Sequence, residues 1–298
     1  MRIPDGWYAI CLKEQIPTKG TFCVRRFGID LVVWLTAAGE PVVMQDRCPH
    51  RGAKLSLGTT GDTISCPYHG FEFSPGGKCE LVPETGRPSP NLTVPVYPSR
   101  MEHGILWVFS GESAQSNQFE PPRFDDITDD FSVSWFKQSW PTHITRCIEN
   151  QLDYAHLAFV HRTTIGANFD PKRSAEFDLQ EAIIGFRFNA AGPNAIEFRM
   201  PNIWINRIAA KLKLMLVFAP IDNENTEMYL LSFQRYCTAP LLSTIIGQLL
   251  NLTNRVILNQ DRAVVLSQYP KDSSQSDEKL FLSDRAISHF RSVWTKPS

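Results

Sequence analysis

Two cysteine–histidine pairs carry the most legible chemistry in this chain. Cys48-Pro49-His50 is followed, after fifteen intervening residues, by Cys66-Pro67-Tyr68-His69. Two thiolates and two imidazoles presented by short loops suit a [2Fe–2S] centre in which two cysteines hold one iron and two histidines hold the other. Exchanging two thiolates for neutral imidazoles makes such a cluster less anionic and raises its potential, so it stores and passes single electrons. Gly52, Gly58 and Gly70 supply backbone freedom where the loops must crowd an inorganic core, and Pro49 and Pro67 stiffen them. Structural zinc also accepts two cysteines and two histidines, but it favours cysteine pairs and histidine pairs, whereas here each cysteine is paired with a histidine.

A second constellation runs from Glu149 to His161: Glu-Asn-Gln-Leu-Asp-Tyr-Ala-His-Leu-Ala-Phe-Val-His. Its apolar positions fit a helix, on which Glu149, Asp153 and His156 would share one face. His161, five residues beyond His156, rotates away from that face on an ideal helix. Both imidazoles reach one metal only if the helix ends or kinks between them. Two histidines and a carboxylate on one side of an iron make the facial triad of mononuclear non-haem Fe(II) oxygenases, with positions left open for dioxygen. Glu149 or Asp170 could supply the carboxylate, and Asp153 could instead orient His156.

With both constellations in view, the chain resembles the Rieske non-haem iron oxygenase family, in particular the alpha subunits of aromatic-ring-hydroxylating dioxygenases. Respiratory-chain Rieske proteins carry an extra cysteine in each cluster loop. Here Gly52 or its neighbours and Tyr68 stand in those places, so the resemblance is to the lower-potential kind found in oxygenases and their ferredoxins. Glu149, Asp153, His156 and His161 satisfy every position of the oxygenase iron motif. The resemblance implies that His156 and His161 bind iron, that Asp153 bridges electrons to a neighbouring subunit, and that a late helix supplies the third ligand. Asn259-Gln260-Asp261-Arg262 looks like that late segment, which makes Asp261 the expected ligand. It also implies a head-to-tail homotrimer, in which His50 or His69 of one copy reaches Asp153 of the next, because such a heterologous contact closes into a ring.

Composition agrees with an intracellular redox enzyme. The 298 residues are enough for two domains with substantial cores. Thirty basic and 31 acidic residues give a formal charge of -1, which gives no reason to expect a nucleic-acid partner. Of seven cysteines, Cys11, Cys23, Cys79, Cys147 and Cys237 lie outside the cluster motif in hydrophobic surroundings, as expected of reduced thiols in a cytoplasmic protein. The opening Met-Arg-Ile-Pro-Asp-Gly-Trp lacks the apolar core of a secretory signal. The longest apolar run, Leu241 to Leu252, is broken by Ser243, Thr244, Gly247, Gln248 and Asn251, so no membrane span is expected.

The elements that must position these residues divide the chain. Residues 1–112 read as a small antiparallel β domain, with strand-like runs at Thr21–Arg25, Leu31–Leu35, Pro41–Gln45 and Ile105–Phe109 punctuated by Gly and Pro. Residues 113–130, polar and proline-bearing, read as a linker. Residues 131–298 open on the alternating Phe131–Phe136 and later show three long strand-like runs, Ala195–Asn206, Lys211–Pro220 and Glu227–Tyr236, before a helix from Pro240 to Ser267. Strands followed by a long helix resemble the helix-grip (START-like) catalytic domain of the family, making the whole α+β. Met200, Ile203, Trp204, Met215 and Phe218 are candidates to line its apolar cavity.

The function expected is that of an oxygenase component. Electrons would come from a separate NAD(P)H-dependent reductase, directly or through a ferredoxin, because no Gly-rich dinucleotide fingerprint is apparent. The cluster would feed a mononuclear Fe(II) that uses O2 to hydroxylate, or oxidatively demethylate, a small or medium organic substrate. Two other readings compete: a Rieske electron carrier fused to a domain that only binds an apolar ligand, and a zinc-stapled interaction module. The first gives no reason for two convergent imidazoles, and the second would leave the protein colourless.

Overall fold

The computed structural model describes residues 3–188 and 196–296 and divides into two compact units, one formed by residues 5–123 and the other chiefly by residues 124–298. The first is built from short antiparallel strands in three small sheets. Gly6–Leu12, Ile105–Ser110 and Ser99–Glu102 form one; Phe22–Arg26, Ile29–Leu35 and Pro41–Gln45 a second. The third is a five-stranded meander from Thr59 to Thr93. Alternation along Ile29–Leu35 splits its side chains between two cores. Leu31 and Val33 pack with Ile10, Val43 and Leu106, whereas Val32 and Trp34 pack with Leu55, Phe73 and both Cys48 and Cys66.

The stretch 113–130 is not a free tether. Ser113–Gln118 is a 3₁₀ turn of the first unit, and the Trp7 indole N–H donates to the Phe119 carbonyl at 2.7 Å. Phe124 is buried in the second unit under the Arg199 guanidinium. Asp126 is held there by Arg207 at 2.8 Å and Lys213 at 2.9 Å. Aromatic anchors and charge partners far away in sequence absorb a segment whose local composition is that of a loop.

The second unit is a seven-stranded antiparallel sheet in the order Ser132–Trp140, Thr226–Gln234, Leu212–Pro220, Ile203–Ala209, Ile196–Arg199, Ile183–Arg187, Glu176–Leu179. The run expected as one strand from Ala195 to Asn206 is two, parted by a turn at Met200–Pro201; Ala195 itself lies outside the described residues. Pro201 has no N–H to offer a ladder, so the strand stops there. Helix α1 is Ile144–Leu152, α2 is the single turn Leu157–Val160, α3 is Pro240–Val265 and α4 is Arg285–Trp294.

Helix α3 begins with Pro240 at its first position, where the missing N–H costs nothing. Its buried residues Gly247, Asn254, Leu258, Asp261 and Val265 recur at helical spacing and make one inner stripe. A Cβ on Gly247 would lie 2.7 Å from Cβ of Ser134, so glycine lets the helix rest on strand Ser132–Trp140. Asn251 fixes that contact by donating to the Trp135 carbonyl at 3.1 Å. The outer face is apolar as well: Leu241, Leu242, Ile245, Leu249, Leu252 and Val256 are exposed. By length and composition α3 is apolar enough to cross a membrane, contrary to the expectation from the interrupted run. The small polar residues that break the sequence run face the sheet or fit within the helix without interrupting it.

Candidate metal centres

In the first unit the two motif loops adopt the same turn. The Cys48 carbonyl accepts from the Gly52 N–H at 2.8 Å, and the Cys66 carbonyl from the Gly70 N–H at 3.0 Å. Both glycines sit in the left-handed region, at φ +77 and +70, where a side chain would be strained. Gly58 has a different reason: a Cβ there would fall 1.8 Å from the Ser65 carbonyl oxygen. The thiols of Cys48 and Cys66 are buried, and burial pushes the Cys48 thiol up. The His50 and His69 rings lie 4.8 Å apart at the exposed tip, with His50 stacked on Phe71 at 4.7 Å. Two buried sulfurs beneath two outward imidazoles fit the donor set of a cluster with thiolate on one iron and imidazole on the other.

In the second unit the chain leaves the helix before either histidine. Helix α1 ends at Leu152, and Asp153 has extended backbone at φ −85, ψ 125. Its Oδ1 accepts from the Ala155 N–H at 2.7 Å, a turn that returns the chain into α2. His156 and His161 flank that single helical turn, so the five-residue spacing brings their rings to 5.1 Å without a kink inside a longer helix. Gly166 closes the loop beyond: its N–H donates to the His161 carbonyl, and a Cβ on it would lie 1.8 Å from the Leu157 carbonyl oxygen.

Both Nε2 atoms converge on one oxygen of Asp261, at 3.4 Å from His156 and 2.9 Å from His161. His161 and Asp261 are almost wholly buried, at 1 and 2 % exposed. One donor atom from each of His156, His161 and Asp261 fits within 4.8 Å of the other two. Burial opposes charge on His156, but the Asp153 and Asp261 carboxylates overcome it and lift its imidazole to about 9. Burial likewise disfavours the Asp261 carboxylate, yet His156 and His161 hold it below the usual carboxylate range. Two nitrogens and one carboxylate oxygen in a buried cluster suit a facial metal triad.

The neighbours are as telling. The His161 ring places Nδ1 2.8 Å from Oε1 of Gln260, which holds the ring plane from the side away from Asp261. Thr164 Oγ1 donates to the same Gln260 oxygen at 2.9 Å, and Asn150 Nδ2 donates to Asp261 Oδ1 at 3.3 Å. Asp153 Oδ2 lies 3.5 Å from Nδ1 of His156, and its carboxylate is 28 % exposed. Gln260 and Asn150 were not singled out by sequence reasoning, since an amide partner has no spacing rule of its own. Adjacency to Asp261 was the one signal for Gln260.

The other carboxylates are engaged elsewhere. Glu149 turns away from the histidines and receives Arg291 through both guanidinium nitrogens, at 2.6 and 2.9 Å, with the Ser273 hydroxyl at 2.6 Å. The end of α1 just before Asp153 removes the shared face expected of Glu149 and His156. Asp170 is exposed and caps the Lys172 N–H at 2.9 Å.

A cavity of about 340 Å³ opens beside the triad. Trp204, Asn206 and Ile208 line it from one strand, Leu214 and Leu216 from the next, and Phe186, Leu230 and Leu258 complete its apolar wall. Of the five lining residues expected, only Trp204 is there. Ile203 and Met215 fall on the opposite side of the sheet, because successive strand residues alternate. Phe218 packs instead on Phe198, at 6.4 Å, and Met200 lies in the turn before Pro201.

Comparison with known proteins matches the first unit to a described domain and the whole chain to individual relatives. Residues 6–98 match the Rieske [2Fe-2S] domain. The toluene-4-sulfonate monooxygenase system iron-sulfur subunit TsaM1 of Comamonas testosteroni is 31 % identical over 56 % of this chain and 49 % of its own. Methylxanthine N1-demethylase NdmA of Pseudomonas putida is 28 % identical over 96 % of this chain and 86 % of its own. The chain spans about half the length of the first curated relatives it matches. The solved structure of NdmA from Pseudomonas putida CBB5 superposes with a TM-score of 0.82 at 26 % identity, covering 96 % of this chain and 88 % of that one. The first third of the chain is thus a Rieske [2Fe-2S] domain, and nearly the whole chain is similar to NdmA in sequence and fold.

Proposed function

We propose that this protein is the oxygenase component of a Rieske-type system. It would take electrons from a separate NAD(P)H-dependent reductase or a ferredoxin and use O2 to hydroxylate or oxidatively demethylate a small organic molecule. The observation that carries this reading is the convergence of His156, His161 and Asp261 at the wall of an apolar cavity, in a chain whose other unit is a Rieske domain. Cys48, His50, Cys66 and His69 would hold the cluster, and His156, His161 and Asp261 the mononuclear iron. When bound, the cluster stores one electron and the ferrous ion supplies dioxygen activation.

The protein's own residues do the rest. Gln260 meets His161 at Nδ1 and so fixes the ring plane that aims Nε2 inward. Asn150 steadies the Asp261 oxygen that both imidazoles face. Leu214, Leu216, Leu230 and Phe186 exclude water and turn a substrate carbon toward the triad. The carbon that faces the triad decides between hydroxylation and loss of a methyl group.

The partly exposed Asp153 carboxylate, beside His156, and the exposed imidazoles of His50 and His69 support a homotrimer in which the cluster of one copy docks at Asp153 of the next. The five cysteines outside the cluster motif, none of them in a disulfide, support a reducing, cytoplasmic setting.

The test is iron-loaded protein and its His156→Ala variant. The parent should sediment as a trimer and carry about three irons per chain, two in the cluster and one at the triad. The variant should lose one iron and all turnover while keeping the red-brown cluster spectrum. A variant that keeps full activity, or a parent with only the cluster's two irons, would refute the assignment, and the latter would favour a plain electron carrier.

A further inference from the structure

The two cluster loops are braced across their mouth by rings and one cation. Neither loop has a second cysteine to tie it to the other: residues 47–58 hold Cys48 alone, and residues 63–71 hold Cys66 alone. Side chains of the first loop rest instead on side chains of the second. His50 stacks on Phe71, and the Arg51 guanidinium lies over the Tyr68 ring, 5.5 Å from its centroid. The Tyr68 ring in turn is tilted against the His69 imidazole, with 3.8 Å between centroids.

The two braces differ in what secures them. Phe71 is 8 % exposed and belongs to the core of the first unit, so packing fixes the His50 side. Tyr68 is 57 % exposed and has no such support. Arg51 is exposed as well, and among the described residues no carboxylate pairs with its guanidinium. A guanidinium within about 6 Å of a ring centroid is drawn to the negative face of the ring, so Arg51 and Tyr68 hold each other. The main chain of Arg51 is engaged too: its N–H, with that of His50, faces the Cys48 sulfur and favours the thiolate. One residue thus meets the cluster end of the first loop with its backbone and the second loop with its side chain.

We propose that Arg51 and Tyr68 form a clasp, in which the guanidinium of one loop, set on the aromatic ring of the other, ties the loops over the cluster and holds the His69 ring in place. Both are positioning residues, and neither gives an atom to the cluster. The clasp rests on Cys48, His50, Cys66 and His69 as the cluster's ligands and is independent of the mononuclear iron. The loops must part before the cluster can leave, and the stack opposes that local opening.

The test follows the fading of the red-brown absorbance of cluster-loaded protein in excess EDTA. Arg51→Gln should lose its cluster about two- to fivefold faster than the parent, as expected for one exposed cation–π contact, and Tyr68→Leu at least as fast. Tyr68→Phe keeps the ring face and should stay within about 1.5-fold of the parent. The double variant Arg51→Gln/Tyr68→Leu should be no faster than Tyr68→Leu, because both substitutions break the same contact. Single-variant rates equal to that of the parent, losses that multiply in the double variant, or a Tyr68→Phe rate equal to that of Tyr68→Leu overturn the clasp. Multiplied losses are also what a contact of Arg51 with a carboxylate of a neighbouring copy would give. Both side chains are exposed, so neither substitution opens the core. A parent that takes up no cluster would overturn the ligand assignment and the clasp together, whereas any of the other three outcomes in a protein that holds its cluster overturns the clasp alone.

Discussion

His161 is held from both sides by consecutive residues of one helix: Gln260 at its Nδ1 and Asp261 at its Nε2. An imidazole so placed keeps one ring plane, which a metal ligand needs. Gln260→Ala should therefore lower iron affinity at the triad by about 10- to 100-fold, as loss of a ligand's hydrogen-bond partner commonly does. Gln260→Glu, which keeps the acceptor oxygen, should restore most of it. Competition with a chelator measures this, and the cluster absorbance should not move; an unchanged iron affinity in the alanine variant would remove Gln260 from the site. At this scale the candidate ligands were legible and their supports were not. Cysteine, histidine and aspartate types at fixed spacings state their chemistry directly. Gln260 and Asn150 matter only because the fold brings 150 and 261 together, and Glu149 misled because its motif position does not reveal that Arg291, 142 residues away, claims it.

Helix α2 is too short to hold itself, since a single turn repays little of the cost of nucleation. It is kept in place by the Asp153 turn before it and by the Gly166 backbone pressed against the Leu157 carbonyl. Gly166→Ala should force that backbone contact apart and destabilise the second unit by roughly 1–3 kcal/mol or more, with iron lost from the triad before the cluster is affected. Urea unfolding followed by helical ellipticity reports the second unit, because all four α-helices among the described residues belong to it. A midpoint equal to that of the parent would show that the loop absorbs the methyl. Strand existence was readable at this scale, since Leu212–Pro220 and Thr226–Gln234 lie within a residue or two of the runs read from alternation. Facing was not: with a period of two, a cavity list that mixed Ile203 with Trp204, or Met215 with Phe218, had to place some members on the wrong side. Strand Glu176–Leu179 was missed because its short run carries two acidic residues at the sheet's edge, and Ile183–Arg187 because it is only five residues long and holds a glycine at its centre.

Across the molecule, the Rieske unit and the sheet-and-helix unit were legible in order, because each has a motif anchored in a recognisable alternation. What ties helix α1 to the C-terminal segment was invisible, since it consists of ion pairs between distant residues. Arg146 on α1 donates to Glu278 at 2.6 and 3.1 Å and to the Pro270 carbonyl at 2.8 and 3.0 Å, while Arg291 on α4 joins Glu149 to Glu278. Hydrogen bonding from Arg146 first, and from Arg291 after the opposing effect of burial, holds the Glu278 carboxyl down at about 2 instead of its usual 4.5. A carboxyl whose folded value is depressed binds its proton less readily than in the unfolded chain, so its contribution is complete above about pH 5 and is lost as pH falls through 4.5 toward 2. Glu278→Gln should accordingly cost about 1–2 kcal/mol at pH 7, allowing for a side chain one-third exposed, and the gap to the parent should close as pH approaches 2. Urea midpoints by helical ellipticity at pH 7, 4 and 2.5 would show the two proteins converging. A gap that stays constant with pH would mean that the Arg146–Glu278–Arg291 lattice holds α1 by shape and hydrogen bonding, and not by charge.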